Sequence, residues 1–120
     1  EEVERVIEMD VEETVARRLA ERVGLPCYVE TPPKPPAEYL TVEQTGGGGS
    51  MFDEVSLDVD CWADKRKRAK AIADLVALQV ADLDVTPNIF HPQVENIYRM
   101  NDPDTGKRRY VVQVSFFVCE

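Results

Sequence analysis

Apolar residues recur at helical spacing near the start of the chain, at Val3, Val6, Ile7, Val11, Val15, Leu19 and Val23, with Glu and Arg between them. The stripe predicts an amphipathic first helix. Asp10 followed by Glu13 has the spacing of a capping box, while Gly24 and then Pro26 supply the stop. The period then changes. Cys27 to Thr31 reads as a short strand, halted by Pro32-Pro33-Lys34-Pro35-Pro36, which is expected to run as an extended polyproline-like arm.

From Tyr39 to Thr45 the residues alternate, Tyr39, Thr41 and Glu43 against Leu40, Val42 and Gln44, and from Val55 to Cys61 the alternation is clearer. Val55, Leu57, Val59 and Cys61 point one way; Ser56, Asp58 and Asp60 point the other. Gly46-Gly47-Gly48-Gly49-Ser50 between them makes a hairpin with a glycine-rich tip. The same five residues have the composition of a flexible linker joining two segments, the other reading open at this point. Asp64 is placed to cap a second helix from near Lys65, whose stripe is Ala69, Ile72, Ala73, Val76 and Val80, ending between Leu83 and Pro87.

A loop over Asn88 to Pro92 precedes a strand at Val94 to Met100, and Asn101 to Gly106 carries turn residues. Tyr110 to Cys119 is the strongest strand pattern in the chain. Tyr110, Val112, Val114, Phe116 and Val118 share a face, while Val111, Phe117 and Cys119 make the other apolar too, so this strand is expected at the centre of the sheet. The order predicts a single α+β domain over residues 1–120. Two helices should pack on one face of a mostly antiparallel sheet of four to five strands.

At 120 residues the chain is long enough for one core, and folding should bury about two thirds of the unfolded surface. With 43% hydrophobic and 31% charged residues it falls among globular proteins. Its longest apolar runs are a few residues, such as Phe116-Phe117-Val118, so no membrane span is expected. Glu1, Glu2, Glu4 and Glu8 stand where a signal peptide needs basic and then apolar residues. Cys27, Cys61 and Cys119 are odd in number and scattered, which predicts buried free thiols in a reducing compartment.

Lys and Arg number 14 against 23 Asp and Glu, a net charge of -9, and such a field disfavours tight binding to nucleic acid. The basic exceptions are Lys65-Arg66-Lys67-Arg68 and Lys107-Arg108-Arg109, read as solvated faces.

Candidate chemistry is sparse. Nucleophilic catalysis needs a base beside its nucleophile, and the one histidine, His91, lies alone in Asn88-Ile89-Phe90-His91-Pro92. The three cysteines and His91 lack zinc-ligand spacing. Asp58 and Asp60 share a strand face but alternate with Leu57 and Val59, as a solvated face does. Asp102, Asp104 and Gly106 open like a calcium loop that Pro103 and the missing final glutamate spoil. The glycine run leads into a strand and carries no GK[ST], so it does not read as a phosphate cradle. The expectation is therefore a non-enzyme with no catalytic residue, metal or cofactor.

Taken together, Gly24-Leu25-Pro26, the proline arm, Tyr39-Leu40-Thr41-Val42-Glu43-Gln44-Thr45-Gly46-Gly47-Gly48 and Val55 to Cys61 followed by Trp62-Ala63 resemble the tail terminator family of siphophages. The likeness is to that family's Thr-Gly-Gly-Gly hairpin, its strand ending in Trp-Ala and its Ala-rich helix, over residues 15–80. Gly49 and Ser50 depart from it, standing where such proteins often carry a basic or polar residue. The resemblance implies a homohexameric ring that caps the tail tube, fixes its length and meets the head-completion proteins, with neither catalysis nor cofactor. It implies the major tail tube protein, the head-completion protein and further copies of the chain as partners, and no membrane. DNA would pass through an acidic lumen without specific binding. The location implied is the head-proximal end of the tail in the virion, and the host cytoplasm during assembly. Subunit contacts are expected at Tyr39, Gly46, Gly47, Gly48, Phe52, Ile89, Phe90, Lys107, Arg108 and Arg109. The other readings are a different head-tail connector or tube adaptor, and an acidic DNA mimic with an anti-restriction role. Against the mimic, Lys and Arg are interleaved with the acids.

Overall fold

The computed structural model describes residues 10–47 and 52–119, with backbone alone at 52, 53, 85 and 119. Helix α1 spans Val11–Val23 and helix α2 Arg66–Val80; the strands are β1 (Cys27–Tyr28), β2 (Tyr39–Gly46), β3 (Phe52–Ala63), β4 (Ile89–Arg99) and β5 (Arg108–Cys119). The sheet order is β1-β2-β3-β5-β4. Among the described residues only β1 and β2 pair in parallel; every other pair is antiparallel. Both helices pack on one face of this sheet, so the fold is the α+β arrangement expected, with β5 between β3 and β4.

Helix α1 starts where its cap predicts. The Asp10 carboxylate accepts the Glu13 N–H at 3.0 Å, and Gly24, left-handed at φ 82°, donates its N–H to the Ala20 carbonyl. The earlier apolar positions Val3, Val6 and Ile7 lie outside the described residues. Val15, Ala16 and Leu19 face the core from α1, and Ala69, Ile72, Ala73, Val76 and Val80 from α2. They meet Leu40, Val42, Leu57, Val59, Val112, Val114 and Phe116 on the covered sheet face. Truncating a large member of this core, such as Leu19, Leu57 or Ile72, to Ala costs about 2–5 kcal/mol. The exposed ion pairs Arg17–Glu13 and Arg22–Asp82 are worth about 1 kcal/mol at most, so the core decides stability.

Several expectations need correction. Strand β1 has two residues instead of five: it runs parallel to β2, and the chain must return to the same end of the sheet before β2 begins. The proline arm is accordingly bent, at residues 33–34 and 37–38. Asp64 does not cap α2; Lys65 is the N-cap without a side-chain bond, and the Asp64 carboxylate pairs with Lys107 at 3.2 Å. Beyond Val80 the chain tightens into a 3-10 turn, Ala81–Val85, that buries Leu83.

Strand β4 begins at Ile89, five residues before the Val94 expected. Its register shifts between Phe90 and Gln93, which accommodates Pro92 and a positive φ of 55° at His91. An edge strand tolerates a proline and a bulge there because one side of it needs no partner. Of the thiols, Cys61 is buried, Cys27 only partly so, and the Cys119 side chain lies outside the description. Burial pushes the Cys27 thiol up to about 12 and Cys61 higher still, which leaves both protonated and unreactive at neutral pH.

Ile89, expected in an exposed loop, is 1% exposed. Ile89→Ala should therefore lower unfolding free energy by about 2–5 kcal/mol in denaturant titration. Phe90→Ala, at the neighbouring position on the opposite face, should cost far less. Gly47 turns the β2–β3 connection at φ 94°, and a Cβ there would collide with the Glu54 carbonyl and lie 2.8 Å from Val55 Cα. Gly47→Ala should cost about 1–3 kcal/mol, read as a lowered thermal midpoint.

Candidate functional site: the open face of the sheet

Among the described residues the helices cover one face of the sheet and nothing covers the other. Alternation decides which residues stand there: Tyr39, Thr41 and Glu43 from β2, and Glu54, Ser56, Asp58, Asp60 and Trp62 from β3. The β5 register adds Arg109, Val111, Gln113, Ser115 and Phe117, and β4 adds Phe90, Asn96 and Tyr98. Trp62 at the end of β3 organises the upper part. Its ring stacks on Tyr39 with centroids 5.8 Å apart and planes 9° from parallel, and its indole N–H donates to Thr41 Oγ1 at 3.1 Å. Tyr28 meets Tyr39 edge-on at 6.0 Å.

Arg109 lies over the indole at 4.7 Å, pairs with Asp60 at 3.3 Å and donates from Nε to the Met100 carbonyl at 2.9 Å. Lys107 reaches over the Tyr39 ring at 5.8 Å and donates to the Ala37 carbonyl at 2.9 Å while pairing with Asp64. Each cation–π contact is worth about 0.5–2 kcal/mol, so together they fix this end of the sheet. The adjoining turn is equally tied: Asp102 accepts the Asp104 N–H at 3.0 Å and the Thr105 hydroxyl at 2.8 Å. Those hydrogen bonds, led by the Asp104 amide, hold the Asp102 carboxyl below its ordinary value.

Below Trp62 the face turns acidic. Glu43 stands directly opposite Asp58, and Asp60 is next along β3. Burial raises the Asp60 carboxyl, the Arg109 guanidinium opposes that rise, and Asp58 and Glu43 add to it. At the far end the Ser115 hydroxyl donates to Glu95, Phe90 is exposed beside Phe117, and His91 meets the Phe117 ring edge-on at 6.5 Å. A shallow depression of 260 Å³ crosses this region between Gly46, Asp58, Glu95 and Gln113.

The expected contact residues thus divide. Tyr39, Lys107 and Arg109 are gathered around Trp62 at one end; Gly46, Gly47 and Phe90 lie toward the other. Tyr39 is buried beneath Lys107, and Ile89 belongs to the core, so neither offers the exposed apolar contact expected of it. Lys107 and Arg109 are engaged within the chain, a correction to their reading as a free solvated run; Arg108 is exposed. Gly48 and the Phe52 side chain fall outside the described residues. Trp62 was not among the expected contacts, although its alternation with Asp58 and Asp60 put it on their face. Among the described residues no three of His, Cys, Asp and Glu are grouped to hold a metal, and no helix is long and apolar enough to cross a membrane.

Folded Asp60 holds its proton more tightly than the unfolded chain does. The stability it contributes is present below pH ~3.8 and is lost as pH rises through its raised value. Asp60→Asn removes this dependence. The unfolding free energy of the parent should therefore fall relative to that of Asp60→Asn as pH rises above the ordinary aspartate value of 3.8, measured by denaturant titration at each pH; parallel curves would contradict the assignment.

No protein-family model matches the chain, and no curated protein matches it. A chain in the solved virion of a native gene transfer agent particle shares its fold, with a TM-score of 0.58 at 16% sequence identity, over 97% of this chain and 90% of that one. At such identity the likeness is one of fold.

Proposed function

We propose that this chain is a structural protein of a phage-like particle, and within it a tail terminator: a subunit that assembles as a ring, by the family resemblance a hexamer, caps the tail tube, sets its final length and joins it to the head-completion protein. The observation that carries the reading is the fold likeness to a virion chain over nearly the whole of both proteins. The Thr45-Gly46-Gly47-Gly48 hairpin followed by Trp62-Ala63 gives it the finer direction.

The physical character of the chain is compatible with such a role. Its charge of -9 repels DNA passing through a ring, so the genome would slide without adhering. In this reading the role is assembly without catalysis or cofactor; His91 is exposed and its ring meets Phe117 edge-on. The particle location would be the head-proximal end of the tail, reached from the host cytoplasm, with the tube protein and the connector as neighbours. A connector or tube adaptor is the second reading, since the fold likeness is to a virion chain without distinguishing its position.

Deletion of the gene in the particle-producing strain separates these readings. A terminator predicts tails of irregular, excessive length and unjoined full heads in electron micrographs, restored by the gene in trans. Tails of normal length attached to heads would sink the proposal, and normal-length tails that never attach would move it to the connector reading. His91→Ala should restore assembly as fully as the parent gene.

A further inference from the structure

Two patches on opposite layers of the molecule are electrostatically and sterically unfinished. On the helical layer, Lys65, Arg66, Lys67 and Arg68 surround the start of α2, where the N-cap makes no side-chain bond and the first turn contains no acid. A helix N-terminus already carries about half a positive charge, so these cations stand where they are least favourable. Arg68 finds Glu38 at 2.7 Å and Arg66 only the Tyr110 hydroxyl at 3.4 Å; Lys65 and Lys67 have no partner among the described residues. With Ala71 they line an open concavity of 650 Å³. Farther along the same helix Leu75 and Leu78 face outward, Leu78 at 73% exposed.

On the open sheet face the opposite pattern occurs. Glu43 and Asp58 are directly paired across β2 and β3, a like-charge arrangement that destabilises a sheet, while Arg109 is committed to Asp60. Farther along lies Phe90 at 42% exposed beside Phe117. The spacings correspond. Lys67 and Leu75 are about 12 Å apart along a helix; Asp58 and Glu54, which is paired with Phe117, are about 13 Å apart along a strand.

We propose that the outer face of α2 in one copy docks on the open sheet face of a second copy, Lys65 and Lys67 meeting Glu43 and Asp58, and Leu75 and Leu78 meeting Phe90. It rests on the ring-forming reading above and names the contact that makes the ring. A second copy is favoured over nucleic acid as the occupant of the basic concavity because a chain of net charge -9 repels a polyanion while carrying the matching acids itself. Since the two patches lie on opposite layers, the contact is heterologous, and successive copies close a ring or extend a filament.

The test is a reciprocal charge exchange in the full chain. Lys65→Glu/Lys67→Glu makes both patches acidic, and Glu43→Lys/Asp58→Lys makes both basic. At low salt the parent should self-associate in sedimentation velocity, each variant alone should remain monomeric, and an equimolar mixture should recover assemblies in which the two alternate. Leu78→Asp, at a position that cannot unfold the core, should weaken parental association at least tenfold and serves if either double variant fails to fold. Association of either double variant at parental strength, an inert mixture, a monomeric parent at every concentration, or a parent that binds duplex DNA through Lys65 and Lys67 without self-association would each overturn the contact. If the contact fails while deletion still produces tails of irregular length, the terminator reading stands and only this interface is lost.

Discussion

The uninterrupted pairing of β3 with β5, from Phe52 opposite Cys119 to Ala63 opposite Arg108, is the contact from which the other positions follow. Twelve registered residues leave no freedom to slip, because a shift of β3 by one would turn Leu57 and Val59 to the open face and bring Asp58 and Asp60 beneath the helices. Once that register is fixed, β2 and β4 can add only on the outer sides, and α2, linking β3 to β4, must pass over β5. The helical layer and the open layer are both consequences of one ladder.

That ladder explains which parts of the fold were legible. Alternation over Val55 to Cys61 and Tyr110 to Cys119 gave both faces correctly, since the burial that enforces a period of two is strongest in the centre of a sheet. The Asp10 and Gly24 signals worked because a cap depends on local geometry alone. Expectation failed where a distant partner decided the outcome. Asp64 has the chemistry of an N-cap but lies within reach of Lys107, forty-three positions later, and the ion pair takes it. Ile89 and Phe90 sit in a segment with a proline and a histidine of positive φ, which reads as loop; pairing with Val118 and Phe117 makes it strand.

The candidate surface was less legible than the fold, for a related reason. Composition marks Lys107-Arg108-Arg109 as one basic run, yet strand alternation sends Arg109 to the open side over Trp62, the preceding turn carries Lys107 over Tyr39, and Arg108 is left exposed. A run of like charges in sequence thus becomes one exposed cation and two that hold the aromatic end of the sheet together. The pairing of Tyr39 with Trp62 was implicit in the two hairpin strands, but it required the register, which glycine spacing alone does not set.

Charge arithmetic bears on assembly in the same way. A subunit of net charge -9 gains nothing from approaching its copy unless charge is segregated, because the averaged field is repulsive within a Debye length of about 8 Å at physiological salt. Segregation is what the two layers provide: Glu43, Asp58 and Asp60 are held on the sheet, and Lys65 and Lys67 on the helix that covers its reverse. Opposed surfaces of that kind orient an encounter before they stabilise it, since solvent-exposed pairs contribute about 1 kcal/mol at most. In the proposed contact, affinity would then come from apolar area such as Leu75, Leu78 and Phe90, and the charges would select which face of a neighbour that area meets. An interface organised this way favours one head-to-tail direction, because docking like layers would oppose acid to acid or lysine to lysine.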